Sequence, residues 1–359
     1  MGTQKTNLQN VKCVAHMLLD VDIQTTAFSP MVVSHPFTND GIVRLLDDTG
    51  NIFQLLPSDI QNYIEPFGGS GAVILEMRAS SKRRDVYNDL NRNLTNFFVC
   101  LRDKTNALLR ELKFLPIHSR FLFEVYKLFL AHEEIHWKVY EKNIREEIQV
   151  LEDRTCFTEE QAAELRPIYD QKLENFDVER AAMFYKCIRG SYSATVTSFG
   201  SKALRLFNFL YLLKPAAKRL EDVVIENKNA ITLIKDEKRP GTFFYCDPPY
   251  FEAENLYEVK MNKRFHVRLW MALSSSKGRF LLSYNDCPFI RQLYKNYYIL
   301  AVTRNNPLKH QPDATYEELF ITNYDPTPYL NVQLSFFERI TRTKGELALI
   351  HTPENQKAA

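Results

Sequence analysis

The chain has 359 residues, 45% of them hydrophobic and 25% charged, with a formal net charge of +2. It is long enough for one large α/β domain plus a smaller unit; it has no run of about 18 apolar residues and opens on a polar stretch (1–10), which argues against a membrane span or a secretory signal. The six cysteines are scattered with no Cys-x-x-Cys pair, which argues against a zinc site or a disulfide framework and fits a reducing cytoplasm.

Residues 1–40, broken by Pro30 and Pro36, read as an extension packing on the main domain, and 42–60 as an amphipathic stretch. A short strand (Asn62, Tyr63, Ile64) then runs into Glu65-Pro66-Phe67-Gly68-Gly69-Ser70-Gly71, followed by an apolar helix start at Ala72. Only 11 glycines occur in the chain, and three of them fall within these four positions, 68 to 71. Glycine is needed where φ is positive or a ligand approaches the backbone. The Gly-Lys-Ser/Thr of a phosphate loop and the Gly-x-Gly-x-x-Gly of a dinucleotide loop are both missing. A tight turn with no ligand remains the plain alternative.

Residues 85–89 predict a second strand, and Asp89 lies 18 residues beyond Gly71. Nucleotide-binding folds place a ribose-binding carboxylate at about this offset, roughly 20 residues. A helix predicted over 91–101 makes N-capping the other use for this corner. Residues 105–180 predict helices, interrupted at Pro116 and Pro167, and the part from 133 onward carries 14 acids against 7 bases. The next forty residues reverse the sign: Lys186, Arg189, Lys202, Arg205, Lys214, Lys218 and Arg219 occur with no acid among them. Interleaved hydroxyls and aromatics, Tyr192 among them, make this a candidate DNA-contacting segment; a solvated basic face is the alternative.

From 221 an α/β rhythm returns, with strands predicted at 223–225, 242–246, 279–284 and 318–324, and helices at 230–236 and 265–276. The buried strand Thr242-Phe243-Phe244-Tyr245-Cys246 ends at Asp247-Pro248-Pro249-Tyr250. Two prolines stop the strand and fix a non-helical turn at its carboxyl end, where open α/β sheets bind ligands. The turn offers a carboxylate, free carbonyls and an aromatic ring. A carboxylate and a proline carbonyl together can accept both hydrogens of a nucleobase amine and favour its reactive form. The Tyr250 ring face would hold the base, with the hydroxyl secondary. The plain alternative is a strand ending in a structural Asp.

In this order, the loop at Glu65–Gly71, the corner Tyr87-Asn88-Asp89-Leu90-Asn91, the turn Asp247–Tyr250, and the run 278–286 resemble the Dam-like class of DNA adenine methyltransferases. The resemblance covers roughly 60–100 and 185–325. It implies a Rossmann-like methyltransferase sheet of the α/β class with an inserted, mostly helical target-recognition domain. The implied divisions are 1–104 for the extension and cofactor loop, 105–200 for the insert, 201–330 for the catalytic half and 331–359 for a C-terminal segment with a polar tail.

The resemblance further implies S-adenosyl-L-methionine as cofactor, held by Glu65, Pro66, Phe67, Gly68, Gly69, Gly71, Asp89, Asn229 and the edge of Asp247. Asp247, Pro248, Pro249 and Tyr250 would carry catalysis on an adenine flipped from double-stranded DNA. Lys186, Arg189, Tyr192, Lys202 and Arg205 would contact the DNA, and a cognate restriction endonuclease is an implied partner of a cytoplasmic enzyme. Two departures stand out: residues 36–57 lack the Gly-Gly-Lys usual near the N-terminus, and Asn229 stands where an acid often sits near the cofactor's adenine. A cytosine-amine, RNA or protein-amine methyltransferase and a catalytically weak DNA-binding homologue are the rival functions. Carbon-5 cytosine methylation needs a Pro-Cys nucleophile, which this chain lacks.

Overall fold

The computed structural model describes residues 50–113, 119–191, 199–200, 210–251, 262–305, 315–330 and 347–353. The short β-favouring runs of the sequence become strands β1 (Asn62–Glu65), β2 (Arg84–Asn88), β3 (Val223–Glu226), β4 (Thr242–Cys246), β5 (Arg279–Asn285), β6 (Tyr298–Asn305), β7 (Thr315–Thr322) and β8 (Leu347–His351). They form one sheet in the order β3-β2-β1-β4-β5-β7-β6-β8. The first five positions are parallel; β7 runs antiparallel between β5 and β6, and β8 adds antiparallel to β6. This is a Rossmann-like doubly wound sheet with an antiparallel end.

Helices cover both faces. On one side lie α1 (Ala72–Glu76), α2 (Arg92–Asp103), α3 (Thr105–Lys113), α4 (Arg120–Ala131), α7 (Phe176–Gly190) and α8 (Leu213–Leu220); on the other lie α9 (Ala230–Asp236), α10 (Lys263–Ser274) and α11 (Pro288–Leu293). Successive strand residues therefore enter different cores. Tyr63, Phe243 and Leu281 face the first set of helices, and Ile64, Phe244 and Leu282 face the second. All five residues of β4 are buried, which is why that strand reads as a continuous apolar run.

Between β2 and β3 the chain makes its helical excursion, completed by α5 (Glu133–Glu152) and α6 (Glu159–Glu174). The excursion is anchored by α7 on α2: the Phe97 and Tyr185 rings stack at 5.3 Å, and Asn96 Nδ2 donates to the Asp177 carbonyl at 2.8 Å. The buried apolar side chains of α2, α3, α4, α7 and α8 join the sheet's own core cluster. The expected break at Pro167 does not occur, because α6 runs straight through it. No residue of α6 is buried, so the carbonyl that loses its helical donor at the proline faces water. Pro116 lies outside the described residues.

The strand order reverses between β1 and β4, and open α/β sheets bind ligands beyond the strand ends at such a switch. These two strands are parallel neighbours, with Ile64 opposite Phe244. The segments that begin at Pro66 and Asp247 thus leave the sheet side by side at its carboxyl edge.

Candidate active site

The glycine loop is built from behind by the end of β2. Gly69 and Gly71 both have positive φ, 52° and 68°, a region that disfavours side chains. Gly68 is glycine for a different reason: a Cβ there would run into the Tyr87 ring. The Tyr87 hydroxyl donates to the Gly69 carbonyl at 2.6 Å, and Gly68 N–H donates to the Asn88 carbonyl at 2.7 Å. Asn88 is buried and spans two loops, donating to the carbonyls of Pro66 at 2.8 Å and Lys228 at 3.0 Å while accepting from Lys228 N–H at 2.8 Å. Tyr87 and Asn88 are thus site-building residues to which the sequence assigned no role; their signal was position, immediately before Asp89.

Asp89 closes this corner. One carboxylate oxygen accepts Gly69 N–H at 3.0 Å and the other accepts Asn91 N–H at 2.8 Å. Burial pushes its pKa up, against the pull of these amides. The Leu90 amide adds a third backbone hydrogen bond, and a carboxylate with about four lone-pair directions can still take a further donor. Asp89 is not the helix cap, since Asn91 fills that role for α2 by accepting from the amides of Asn93 and Leu94. Leu90 beside it is 63% exposed, an apolar surface at the rim of a polar corner.

Glu65 lies beneath the loop at 2% exposure, accepting from the Tyr63 hydroxyl at 2.8 Å. Burial raises its pKa to about 8. Pro66 and Phe67 follow at the strand end, and the Phe67 ring meets Phe265 edge-on at 6.2 Å.

On the other side of the switch point, Asp247 is exposed at the end of β4, Pro248 is buried, and Pro249 and Tyr250 are half-buried. The Tyr250 ring lies 6.2 Å from Tyr284, whose hydroxyl sits 2.6 Å from His266 Nδ1. The Tyr250 hydroxyl is not idle: it donates to Glu318 Oε1 at 2.5 Å. Cys246 is fully buried and burial pushes its thiol pKa well up, so it is packing, not a nucleophile.

Other predicted site residues divide. Asn229 accepts from the amides of Ile231 and Thr232 as the N-cap of α9, so its carbonyl oxygen is already engaged. Lys186, expected as a phosphate contact, does not lie on the surface. It is 2% exposed on α7, a helix enclosed by α2, α3 and α4, and its ammonium donates to the Glu111 carbonyl at 3.1 Å. Burial lowers the pKa of Lys186 and of its half-buried neighbour Arg189. Farther along the same basic run, Arg219 makes a buried ion pair with Asp85 and Lys218 pairs with Glu221. Tyr192, Lys202 and Arg205 lie outside the described residues. Among the described residues no group of His, Cys, Asp and Glu is arranged to hold a metal, and no helix is long and apolar enough to cross a membrane.

The switch-point site falls within the stretch of the chain that resembles known proteins. The family model described as D12 class N6 adenine-specific DNA methyltransferase matches residues 49–306. The Type II methyltransferase M1.LlaDCHI of Lactococcus lactis subsp. cremoris is 23% identical over 299 residues, which cover 76% of this chain and 90% of that protein.

Proposed function

The chain belongs to the D12 class N6 adenine-specific DNA methyltransferase family, and on that footing we propose that it methylates the N6 amine of a flipped adenine at a specific site in double-stranded DNA, using S-adenosyl-L-methionine. The observation that carries this reading is the juxtaposition of two segments at one switch point, the glycine loop backed by Asp89 and the Asp247–Tyr250 turn.

The donor set fits that cofactor. In a phosphate-binding loop the Gly69 amide would face an anion; here it is bound by the Asp89 carboxylate, which disfavours a phosphate and suits the hydroxyls of a ribose. The exposed Leu90 offers a face for the purine. When bound, the cofactor supplies an electrophilic methyl group on a sulfonium. The protein's part is positioning. Asp247 and the Pro248 carbonyl accept the two amine hydrogens, so the nitrogen lone pair turns out of conjugation toward the methyl group. The Tyr250 ring stacks on the base, at about 1–3 kcal/mol.

The DNA is reached from the segment that follows α7, with Arg189 at its base and Tyr192, Lys202 and Arg205 beyond. The likeness to a Type II methyltransferase of Lactococcus supports a place in a restriction–modification pair, with a cognate endonuclease as partner. Incubation with unmethylated DNA and labelled cofactor, followed by digestion and mass spectrometry, tests the proposal. N6-methyladenine at one sequence context is the expected product; 4-methylcytosine, or no labelled base, would refute it.

A further inference from the structure

We infer that Glu318 is the positioning residue for Tyr250 and acts with Asn285 as a cross-strand clamp on the base-holding turn. The inference rests on the function proposed above. The Asp247–Tyr250 turn leaves β4 on rigid prolines, but prolines fix the backbone and not the plane of the tyrosine ring that follows. That plane is what a stacked base would meet.

The two fixings come from the antiparallel half of the sheet. Glu318 on β7 is 3% exposed, and its carboxylate takes the Tyr250 hydroxyl at 2.5 Å. Asn285 at the end of β5 donates through Nδ2 to the carbonyl of Phe251, the residue after Tyr250, at 3.0 Å. Asn285 and Glu318 stand directly opposite each other in the β5–β7 register. One cross-strand pair therefore holds both the far tip of the Tyr250 ring and the backbone just beyond it.

A phenol donating to a carboxylate makes a short, charge-assisted bond, stronger than a neutral one. Burying a carboxylate is costly unless it is hydrogen-bonded, so a burial that fixes one ring plane has a definite use. Asn285 adjoins Tyr284, whose ring lies 6.2 Å from Tyr250 at 42°. The clamp and the wall beside Tyr250 are thus consecutive residues of one strand. The Tyr250 hydroxyl, expected from the sequence to be secondary, becomes the handle by which the ring is aimed.

The test is a double-mutant cycle on the full chain, reading single-turnover methyl transfer, the KM for DNA and cofactor affinity. Glu318→Ala should lower the transfer rate by about 10- to 100-fold, the scale of misplacing a group at a reacting centre. Cofactor affinity should stay within about twofold, because the clamp touches only the base-holding turn. Glu318→Gln, which keeps an acceptor oxygen but a weaker one than a carboxylate, should lower the rate less, by about three- to tenfold. In a Tyr250→Phe background, Glu318→Gln should cost less than about twofold more, since the shared bond is already gone. A folded Glu318→Ala enzyme with the wild-type rate would overturn the inference. If that variant does not fold, a loss from Glu318→Gln as large in the Tyr250→Phe background as in the wild-type enzyme would overturn it instead. Absence of N6-methyladenine from wild-type reactions is seen before any variant is made, and it overturns the functional reading together with the role built on it.

Discussion

Tyr87 and Gly69 are joined through the glycine's own peptide: the Tyr87 hydroxyl donates to the Gly69 carbonyl at 2.6 Å while Asp89, two residues along the same strand end, accepts the Gly69 N–H. The loop is therefore shaped before any ligand arrives, and preorganisation of this kind lowers the ordering cost of binding. Tyr87→Phe keeps the ring on Phe98, 4.6 Å away, and removes only the donor. It should cost about 0.5–1.5 kcal/mol of stability and weaken S-adenosylmethionine binding by up to about tenfold. Denaturant unfolding and calorimetry measure the two; unaltered cofactor affinity would show that the loop holds its shape without Tyr87.

Asp89→Ala should weaken cofactor binding far more. It removes the acceptor of the Gly69 and Asn91 amides and, on the function proposed above, the hydrogen bonds of two ribose hydroxyls to a charged group, each about 1.5–3 kcal/mol. Calorimetric affinity equal to wild type would remove Asp89 from the cofactor site.

Glu65 gives the fold a pH dependence of definite sign. Its pKa rises from 4.5 in the unfolded chain to about 8 in the fold, chiefly by burial. Between those values the folded state binds a proton that the unfolded state has lost, so stability falls as pH rises from about 4.5 to about 8. The penalty at the alkaline end is of the order of several kcal/mol. Glu65→Gln keeps an acceptor for Tyr63 and cannot ionise. Its melting temperature should match wild type near pH 5 and exceed it above about pH 8. Parallel melting curves across that range would contradict the burial of an ionisable Glu65.

The parts of this site that were legible in the sequence are those whose cause is local. Three glycines in four positions announce positive φ or a close approach to the backbone, and two prolines after an apolar run announce a strand that must stop. The helix at 230–236 was readable to the residue, although the role of Asn229 as its cap was not, that residue having been expected to meet the cofactor. What the sequence hid are partnerships made by topology. Glu318 reaches Tyr250 across 68 residues because β7 inserts between β5 and β6, and Asn88 reaches Lys228 across 140 because β2 neighbours β3. The strand β8 was also missed, since a five-residue run adding to an edge has no strong local signal. Lys186 misled for the converse reason: a basic residue in a basic run looks solvated until neighbouring helices close over it.

Lys186→Met should accordingly leave the salt dependence of DNA binding unaltered. A lost phosphate contact would reduce the slope of log K against log salt by about 0.9. Binding titrations over a range of salt concentrations read that slope directly, and a reduction of this size would place Lys186 on the DNA in the complex.

On the function proposed above, direct transfer to the amine with no covalent enzyme–base intermediate would make opposite demands on adjacent residues. Cys246 is fully buried with its thiol pKa raised, one residue before a carboxylate exposed at the strand end. A route through sulfur would require Cys246 and tolerate changes at Asp247; a route through the amine requires the reverse. Cys246→Ala should keep turnover, with any loss confined to stability, because the thiol only fills space beneath the sheet edge. Asp247→Ala should lower turnover by about 10²–10³-fold, the scale seen when a preorganised polar group aimed at the reacting atoms is removed. Asp247→Asn should fall between, since it keeps an oxygen acceptor and loses the charge. Mass spectrometry of the digested DNA completes the test: an active Asp247→Ala enzyme, or a Cys246→Ala enzyme that folds but makes no N6-methyladenine, would reverse the assignment of the two residues.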